Sequence, residues 1–565
     1  MAKKSKNEET DPAVSNQENL NSNESELRPG QQLERKGLRP NFLARFKSWY
    51  VSHKKLSIPA TVVLLLVFLA LLPWTRYALA GLVVQKNLTL HIVDVDTNSP
   101  VSGASVQAGS TGAVTDGSGR ATLKLKAGPQ TIKISKKYYQ DTQAKLTVPV
   151  IGEKTVTDVK LQATGRQVKV VVSDLISKEA LADVEIKVAD VTAKTDKNGV
   201  ALLVLPAGSS TVPGTLKLEG YNDTAAEVEI SDQEIKENKL TLTPVGKNYF
   251  FSNRGGKIDL YSSNLDGSSQ EVVLPGTGNE NSDISLSISP DRKWAAFAST
   301  RDGQRNSKGQ LQQSLFVINL GDKKLVEADE GASTFNIEGW SGNKVIYTVF
   351  KEDLNYDNNE RSKLKSYDVS AKKLSTLAVS NYVFVYATTG DYIVYSRNNY
   401  SENTQLYRAN TQKTGDSKIT ADDIKYVGNV FQNAPDLFII QGYTDNSQVW
   451  YKYTLSNNKI EKLGGEPGDK VVRRMILSSD GKNVVWVEDR DGQGTLLVAD
   501  NQGQNQRTIA TRKSLYYPLQ WVGDNYVIFR TTDPDNADYI VALSGGEPVK
   551  IADVFRQNYG FGEYY

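Results

Sequence analysis

The stretch Ser289-Pro290-Asp291-Arg292-Lys293-Trp294-Ala295-Ala296-Phe297 decides how most of this chain folds. A polar turn runs directly into a short apolar run, the pattern of a hairpin that enters a buried strand. The pairing returns at Ser478-Ser479-Asp480-Gly481-Lys482, ahead of Val484-Val485-Trp486-Val487. Apolar cores with less regular turns recur at Tyr249-Phe250-Phe251, Val345-Ile346-Tyr347, Tyr392-Ile393-Val394-Tyr395, Leu437-Phe438-Ile439-Ile440 and Tyr526-Val527-Ile528-Phe529. Each core is followed by a further strand-like run, such as Ile258-Asp259-Leu260-Tyr261, Leu315-Phe316-Val317-Ile318 or Leu496-Leu497-Val498.

The cores are about 42–51 residues apart, the period of one four-stranded propeller blade. Seven cores predict seven blades over residues 247–565. Innermost strands are expected to begin near Ile284, Phe335, Tyr382, Asn429, Val472 and Tyr516, with none for the first blade. An open ring would leave unpaired edges, so the tail Tyr559-Gly560-Phe561-Gly562-Glu563-Tyr564-Tyr565 is expected to supply the missing strand beside Tyr249. The two polar turns resemble the Ser-Pro-Asp-Gly-Lys signature of TolB-like (WD40-like) propellers. That resemblance implies a propeller fold; the Trp-Asp dipeptide of eukaryotic WD40 repeats is absent.

Ahead of the propeller lies a second repeat, with an offset of 80 residues. Asp94 corresponds to Asp174, Thr115-Asp116-Gly117-Ser118-Gly119 to Thr195-Asp196-Lys197-Asn198-Gly199, and Tyr139 falls near the place of Tyr221. A constant offset over several landmarks marks tandem domains, here residues 84–165 and 166–246. Within each, short strands alternate apolar and polar residues around Asx-type turns. These modules resemble carboxypeptidase-regulatory-like (PEGA-like) β-sandwiches, which implies a surface or envelope setting and names no ligand. The expected fold class is therefore all-β: two tandem sandwiches and a seven-bladed propeller.

The most apolar stretch is residues 58–74, IPATVVLLLVFLALLPW, without a charge and long enough for a bilayer core of about 30 Å. Residues 56–80 are expected to form a transmembrane helix. Arg35, Lys36, Arg39, Arg45, Lys47, Lys54 and Lys55 precede it with no acid among them, whereas only Arg76 and Lys86 follow closely. Excess Lys and Arg stays cytoplasmic, which puts residues 1–55 inside and the β domains outside. Ala78-Leu79-Ala80-Gly81 has the form of a signal-peptidase site, so secretion after Ala80 is the alternative to an uncleaved anchor. Residues 1–34 are polar enough to be disordered. Phe42, Phe46, Trp49 and Tyr50 fall at helical spacing among Arg39, Arg45 and Lys47, so residues 35–55 are a candidate for contact with anionic lipid.

Composition narrows the chemistry. The chain has no cysteine and two histidines, His53 and His91, which removes disulfides, thiol catalysis, Cys-based zinc sites and histidine clusters. A formal net charge of +2 gives no field for nucleic acid. No Gly-x-Ser-x-Gly elbow, Walker loop or His-Glu-x-x-His is present. Asp353, Asn355, Asp357 and Asn359 alternate as calcium ligands do, although the central glycine of an EF-hand is missing. The 27 tyrosines suit protein or sugar surfaces, and equally suit strands. The sequence therefore predicts no catalytic residue and no cofactor beyond that calcium candidate. Its function reads as a non-catalytic, membrane-anchored binding protein for an envelope or extracellular protein or glycan. A transmembrane sensor subunit and a propeller-type hydrolase are the alternatives.

Overall fold

The structure is a computed structural model. It describes residues 42–72, 77, 84–150, 156–206, 211–231, 234–282, 284–398, 403–413, 415–468, 475–532 and 534–555. Two compact units result, residues 1–84 and 85–565. The first contributes helices α1 (Phe42–Ser52) and α2 (Lys54–Leu71); the second is built of strands.

Among the described residues no single helix is long and apolar enough to cross a membrane. Arg45–Ser52 and Lys54–Leu69 meet that test only together, bent by 107°. The expected span of residues 56–80 runs past the end of α2 into 73–76 and 78–80, outside the described residues.

The 80-residue repeat appears as two domains of identical strand order. In the first, Arg120–Lys126, Gln85–Asp94 and Thr157–Leu161 form a three-stranded sheet. Thr111–Val114, Ser105–Ala108, Gly128–Ser135 and Thr142–Val148 form a four-stranded one. The second copy repeats this with Val200–Leu205, Arg166–Asp174 and Lys236–Leu242, then Val191–Lys194, Glu185–Val188, Thr211–Lys217 and Thr224–Glu229. Alternating strands turn one face inward, as when Arg120–Lys126 buries Ala121, Leu123 and Leu125 against Leu88, Leu90 and Ile92. The Thr-Asp-x-x-Gly turns work as their residues predict. Asp116 Oδ1 accepts the Ser118 and Arg120 N–H groups at 2.9 Å, and Gly119 takes φ 72° where a Cβ would stand 2.6 Å from Ile92 O.

Seven antiparallel sheets follow in chain order, over residues 247–274, 285–332, 334–380, 382–418, 426–462, 476–512 and 515–553. The last six are four-stranded meanders and the first has three strands. Every apolar core named from the sequence is the second strand of its sheet, except that Lys247–Ser252 is the first. First strands begin at Ser285, Thr334, Tyr382, Tyr426, Ile476 and Leu515. The fifth starts three residues ahead of the expected Asn429, because a register shift between Val427 and Val430 takes up the extra residues. Val472 lies outside the described residues, as does the tail 556–565 expected to close the ring. Just before that tail, the Phe555 N–H donates to Phe251 O at 3.0 Å.

The paired turns share one hydrogen-bond plan. Ser478 Oγ bonds Asp480 Oδ1 at 2.7 Å and accepts the Asn483 N–H at 3.0 Å, while Asp480 Oδ1 accepts the Lys482 N–H at 3.0 Å. Ser289, Asp291, Lys293 and Trp294 repeat it at 2.7, 3.0 and 3.1 Å. Bonds from Ser478 and Lys482 hold the Asp480 carboxyl down to about 2. Where the second turn has Gly481 at φ 71°, the first has Arg292 at φ 59°. That strained residue sits at a seam. Its guanidinium, largely buried, donates to Gln520 Oε1 at 2.8 Å and Trp521 O at 3.2 Å in the seventh sheet, and to Lys247 O in the first. Beside it Arg530 and Asp538 form a bidentate pair at 2.7 and 3.0 Å, 5% and 0% exposed, and Asn248 Nδ2 of the first sheet donates to Asp538 Oδ2 at 2.9 Å.

The domains are joined by the repeated aspartates. Asp94 Oδ1 caps its own turn through the Asp96 and Thr97 N–H groups and also accepts Gln167 Nε2, at 2.9 Å, from the second sandwich. Asp174 caps its turn likewise, and its Oδ2 accepts Tyr221 Oη at 2.9 Å and Tyr526 Oη at 2.6 Å, the latter from the seventh sheet. Ile176 packs with Leu265, Val522, Ile528 and Ile540. Gly246 carries the linker past them, where a Cβ would stand 3.0 Å from Leu265 and 3.1 Å from Val522.

Two outcomes follow from these seams. Arg292→Gly gives the turn a residue suited to its φ, a gain of about 1 kcal/mol at most. It also removes a buried charge-assisted tie, so a net loss of about 2–3 kcal/mol and a lower melting temperature are expected; a variant more stable than the wild type would contradict the seam. Burial, with the Asp174 carboxylate beside it, pushes the Tyr221 phenol up to about 12, and Tyr526 is raised in the same way. A raised phenol stabilises the folded joint fully below its unfolded pKa of about 10, and that contribution is lost as pH climbs through the folded value. Spin labels on introduced cysteines in the second sandwich and the seventh sheet should show a distance distribution that broadens between about pH 10 and 12. A Tyr221→Phe/Tyr526→Phe variant should show no such transition. A wild-type distribution unchanged to pH 12 would contradict the joint.

Candidate functional site

In a four-stranded meander the start of the first strand lies at the same end as the strand 2–3 connection and the crossing to the next sheet. The register shows this end directly: Tyr382 pairs with Asn398, Tyr426 with Tyr443 and Leu515 with Thr531, each at the finish of a second strand. Contacts between neighbouring sheets keep these ends together. Thr404 O of the fourth sheet accepts the Val427 N–H of the fifth at 3.0 Å, and Glu352 N–H in the third sheet's long connection reaches Ser333 Oγ at 2.9 Å.

Large aromatic side chains stand exposed at this end. Tyr382, Tyr426 and Tyr516 are 50%, 43% and 41% exposed, all within one residue of the start of a first strand. Tyr356, in the connection 351–361, is 70% exposed. The contrast with core tyrosines is sharp, since Tyr347 and Tyr395 are fully buried on second strands. The exposed rings are braced from behind. Tyr426 stacks on Tyr443 with centroids 4.7 Å apart and planes 12° apart, and Tyr516 meets Tyr517 edge-on at 5.3 Å. Arg361 lies over Phe350 at 4.5 Å and Tyr356 at 5.0 Å. Partial burial, with Glu338 and Tyr356 near, raises the Tyr382 phenol above its ordinary value.

Charge on this end is divided by sector. The connection 253–258 of the first sheet and 300–312 of the second carry Arg254, Lys257, Arg301, Arg305 and Lys308 against the single acid Asp302, whereas 351–361 of the third carries Glu352, Asp353, Asp357 and Glu360 against Lys351 and Arg361. The opposite end is made of hairpins and is partly occupied: Tyr526, Leu265 and Val522 there meet the second sandwich. The tyrosine-bearing end therefore faces away from the sandwich joint.

The residues singled out from sequence are placed as follows. Asp353, Asn355, Asp357 and Asn359 are exposed on a run of turns closed by Asn358 N–H to Asn355 O at 3.0 Å and Arg361 N–H to Asn358 O at 3.1 Å. Among the described residues no group of three or more His, Cys, Asp or Glu side chains is arranged to hold a metal. His91 lies on the first sandwich, its Nδ1 3.0 Å from Asp158 Oδ1, far along the chain from any aromatic cluster. Sequence reading passed over Tyr426 and took Tyr382 only as a strand start; their position at the head of an innermost strand was the available signal.

No family profile matches the chain, and no curated protein matches it. Solved structures similar in shape include the β-propeller domain of the Trilobed protease from Pyrococcus furiosus, 13% identical, covering 63% of this chain and 96% of that one at a TM-score of 0.35. TolB from Acinetobacter baumannii is 12% identical over 54% of this chain and 77% of its own, at 0.29. An oligogalacturonate lyase in complex with manganese is 12% identical over 52% and 85%, at 0.34. These neighbours include propellers, and scores this low transfer no activity. The order and register of the seven sheets carry the architecture by themselves.

Proposed function

We propose that this chain is a membrane-anchored, non-catalytic binding protein whose seven sheets close into a seven-bladed propeller. The anchor is residues 56–80, with residues 1–55 cytoplasmic and the β domains outside. The two sandwiches act as spacers, and the tyrosine-bearing end receives an envelope or extracellular protein. One observation carries this reading: exposed tyrosines at or one residue past the start of three first strands, on the end that the sandwich joint leaves open. Rigid, amphipathic rings give contact area at low entropic cost and dominate protein interfaces. Separate basic and acidic sectors on the same end favour a polypeptide partner of mixed charge over a uniformly charged polymer.

The test compares envelope pull-downs by the wild-type chain, a Tyr382→Ser/Tyr426→Ser/Tyr516→Ser variant, and a hairpin-end control, Lys323→Ser/Lys372→Ser. The tyrosines are surface residues, so the triple variant should unfold within about 1–2 kcal/mol of the wild type. It should nevertheless lose a protein that the wild type and the control both retain. Equal capture by all three would remove the tyrosine end as the binding face. Loss of an oligosaccharide in place of a protein would move the partner class to glycan.

A further inference from the structure

The corner between α1 and α2 is built rather than loose. A helix end leaves carbonyls without partners, and here side chains take them up. Ser57, 2% exposed in an otherwise exposed helix, donates its Oγ–H toward Tyr50 O at 2.7 Å and His53 O at 3.1 Å. Ser52 Oγ donates to Trp49 O at 3.1 Å, His53 Nδ1 lies 3.1 Å from the same carbonyl, and the Trp49 and His53 rings stack at 5.4 Å. These contacts end α1 and restart the chain as α2 at 107°.

The two arms differ in chemistry. Beyond Thr61 α2 is apolar all round, with Leu64 and Phe68 exposed at 69% and 62%, as a helix immersed in hydrocarbon would be. α1 is two-sided: at 100° per residue Phe46, Trp49 and Tyr50 share a face, Ser48 lies opposite with Val51 beside it, and Arg45, Lys47 and Ser52 flank the aromatic face. Phe46 and Trp49 are half-exposed, and Lys54 and Lys55 stand exposed just past the corner.

The geometry points to α1 as an interfacial foot, held flat by the corner against the headgroups of an anionic leaflet while α2 enters the bilayer. This rests on the anchored reading above. If α2 lies near the membrane normal, an arm at 107° to it runs nearly parallel to the surface. The aromatic face then meets the acyl boundary, where Trp and Tyr prefer to sit. Arg45, Lys47, Lys54 and Lys55 meet the phosphates, each attracted by about 1 kcal/mol at an anionic surface. A neutral partner would leave those four cations without a counterpart, and the sequence between Arg35 and Lys55 offers no acid to pair with them.

The chain lacks cysteine, so single-cysteine variants carry a nitroxide at one known place. The full chain is reconstituted into vesicles of phosphatidylcholine, with and without phosphatidylglycerol. Phe46→Cys, Trp49→Cys, Ser48→Cys, Ser52→Cys and Leu64→Cys are compared by collision with oxygen and with a water-soluble nickel chelate. In anionic vesicles, labels at 46 and 49 should favour oxygen, the label at 48 nickel, and the flanking label at 52 should fall between them. Arg45→Glu/Lys47→Glu should abolish the difference between lipid compositions. A label at 64 in hydrocarbon with all four α1 labels equally exposed to nickel would overturn the foot and leave the anchor standing. A label at 64 exposed to nickel would remove the anchor, and the foot with it. Identical α1 profiles in both lipid mixtures would overturn its preference for anionic lipid.

Discussion

A run of meander sheets hides its flanks only when the last sheet packs on the first, and in this chain apolar packing of Leu265 on Val522, Ile540 and Ile551 makes that contact while polar ties set its register. Arg292 in the second sheet reaches the carbonyls of Trp521 and Lys247, while Asn248 reaches the Arg530–Asp538 pair. Buried ion pairs contribute little net stability over apolar packing, but breaking one leaves an uncompensated charge. Such a seam is therefore stringent about register: a slip of one residue would cost the Asn248–Asp538 bond and leave the Arg292 guanidinium without its carbonyl partners. Meanwhile, bulk adhesion between sheets comes from apolar layers such as Val485, Leu496, Val527 and Phe529.

The same logic, polar groups setting geometry while apolar contacts supply adhesion, runs through the domain joints. Asp94 and Asp174 each finish a strand, cap the turn that follows and then reach into the next domain. One duplicated residue thus makes both joints. The second joint is the fuller, with two phenols on one carboxylate oxygen and Ile176 in the apolar layer. In the first, Tyr139 stands by the Asp94 carboxylate, and Gln167 Oε1 has no hydrogen bond among the described residues, beside a cleft with room for about one water molecule. Because the joint takes up part of the hairpin end, the tyrosine end is left to face outward. The orientation of the candidate site follows from where Tyr526 and Asp174 meet.

Much of this was legible in the sequence, and what was not has a physical reason. Strand cores are apolar whatever surrounds them, so all seven could be read from local composition. The start of the fifth sheet shifted because a register irregularity carries no signature of its own. Tyr382 and Tyr426 were hidden because tyrosine has the same strand preference buried or exposed, and only the sheet topology separates them from Tyr347 and Tyr395. Arg292 reads in sequence as a departure from the glycine of its turn; in space the departure is its use. Asp353, Asn355, Asp357 and Asn359, whose alternation resembles that of calcium ligands, lie on successive exposed turns.

The central claim is that the tyrosine end, facing away from the sandwich joint, is the face that meets a partner. Site-specific photocrosslinking in cells tests it most directly, with benzoylphenylalanine placed singly at Tyr382, Tyr426 and Tyr516, and at Asn525 and Lys323 on the hairpin end. The account predicts one common adduct from the three tyrosine positions and none from the other two. Adducts formed only from Asn525 or Lys323 would contradict it.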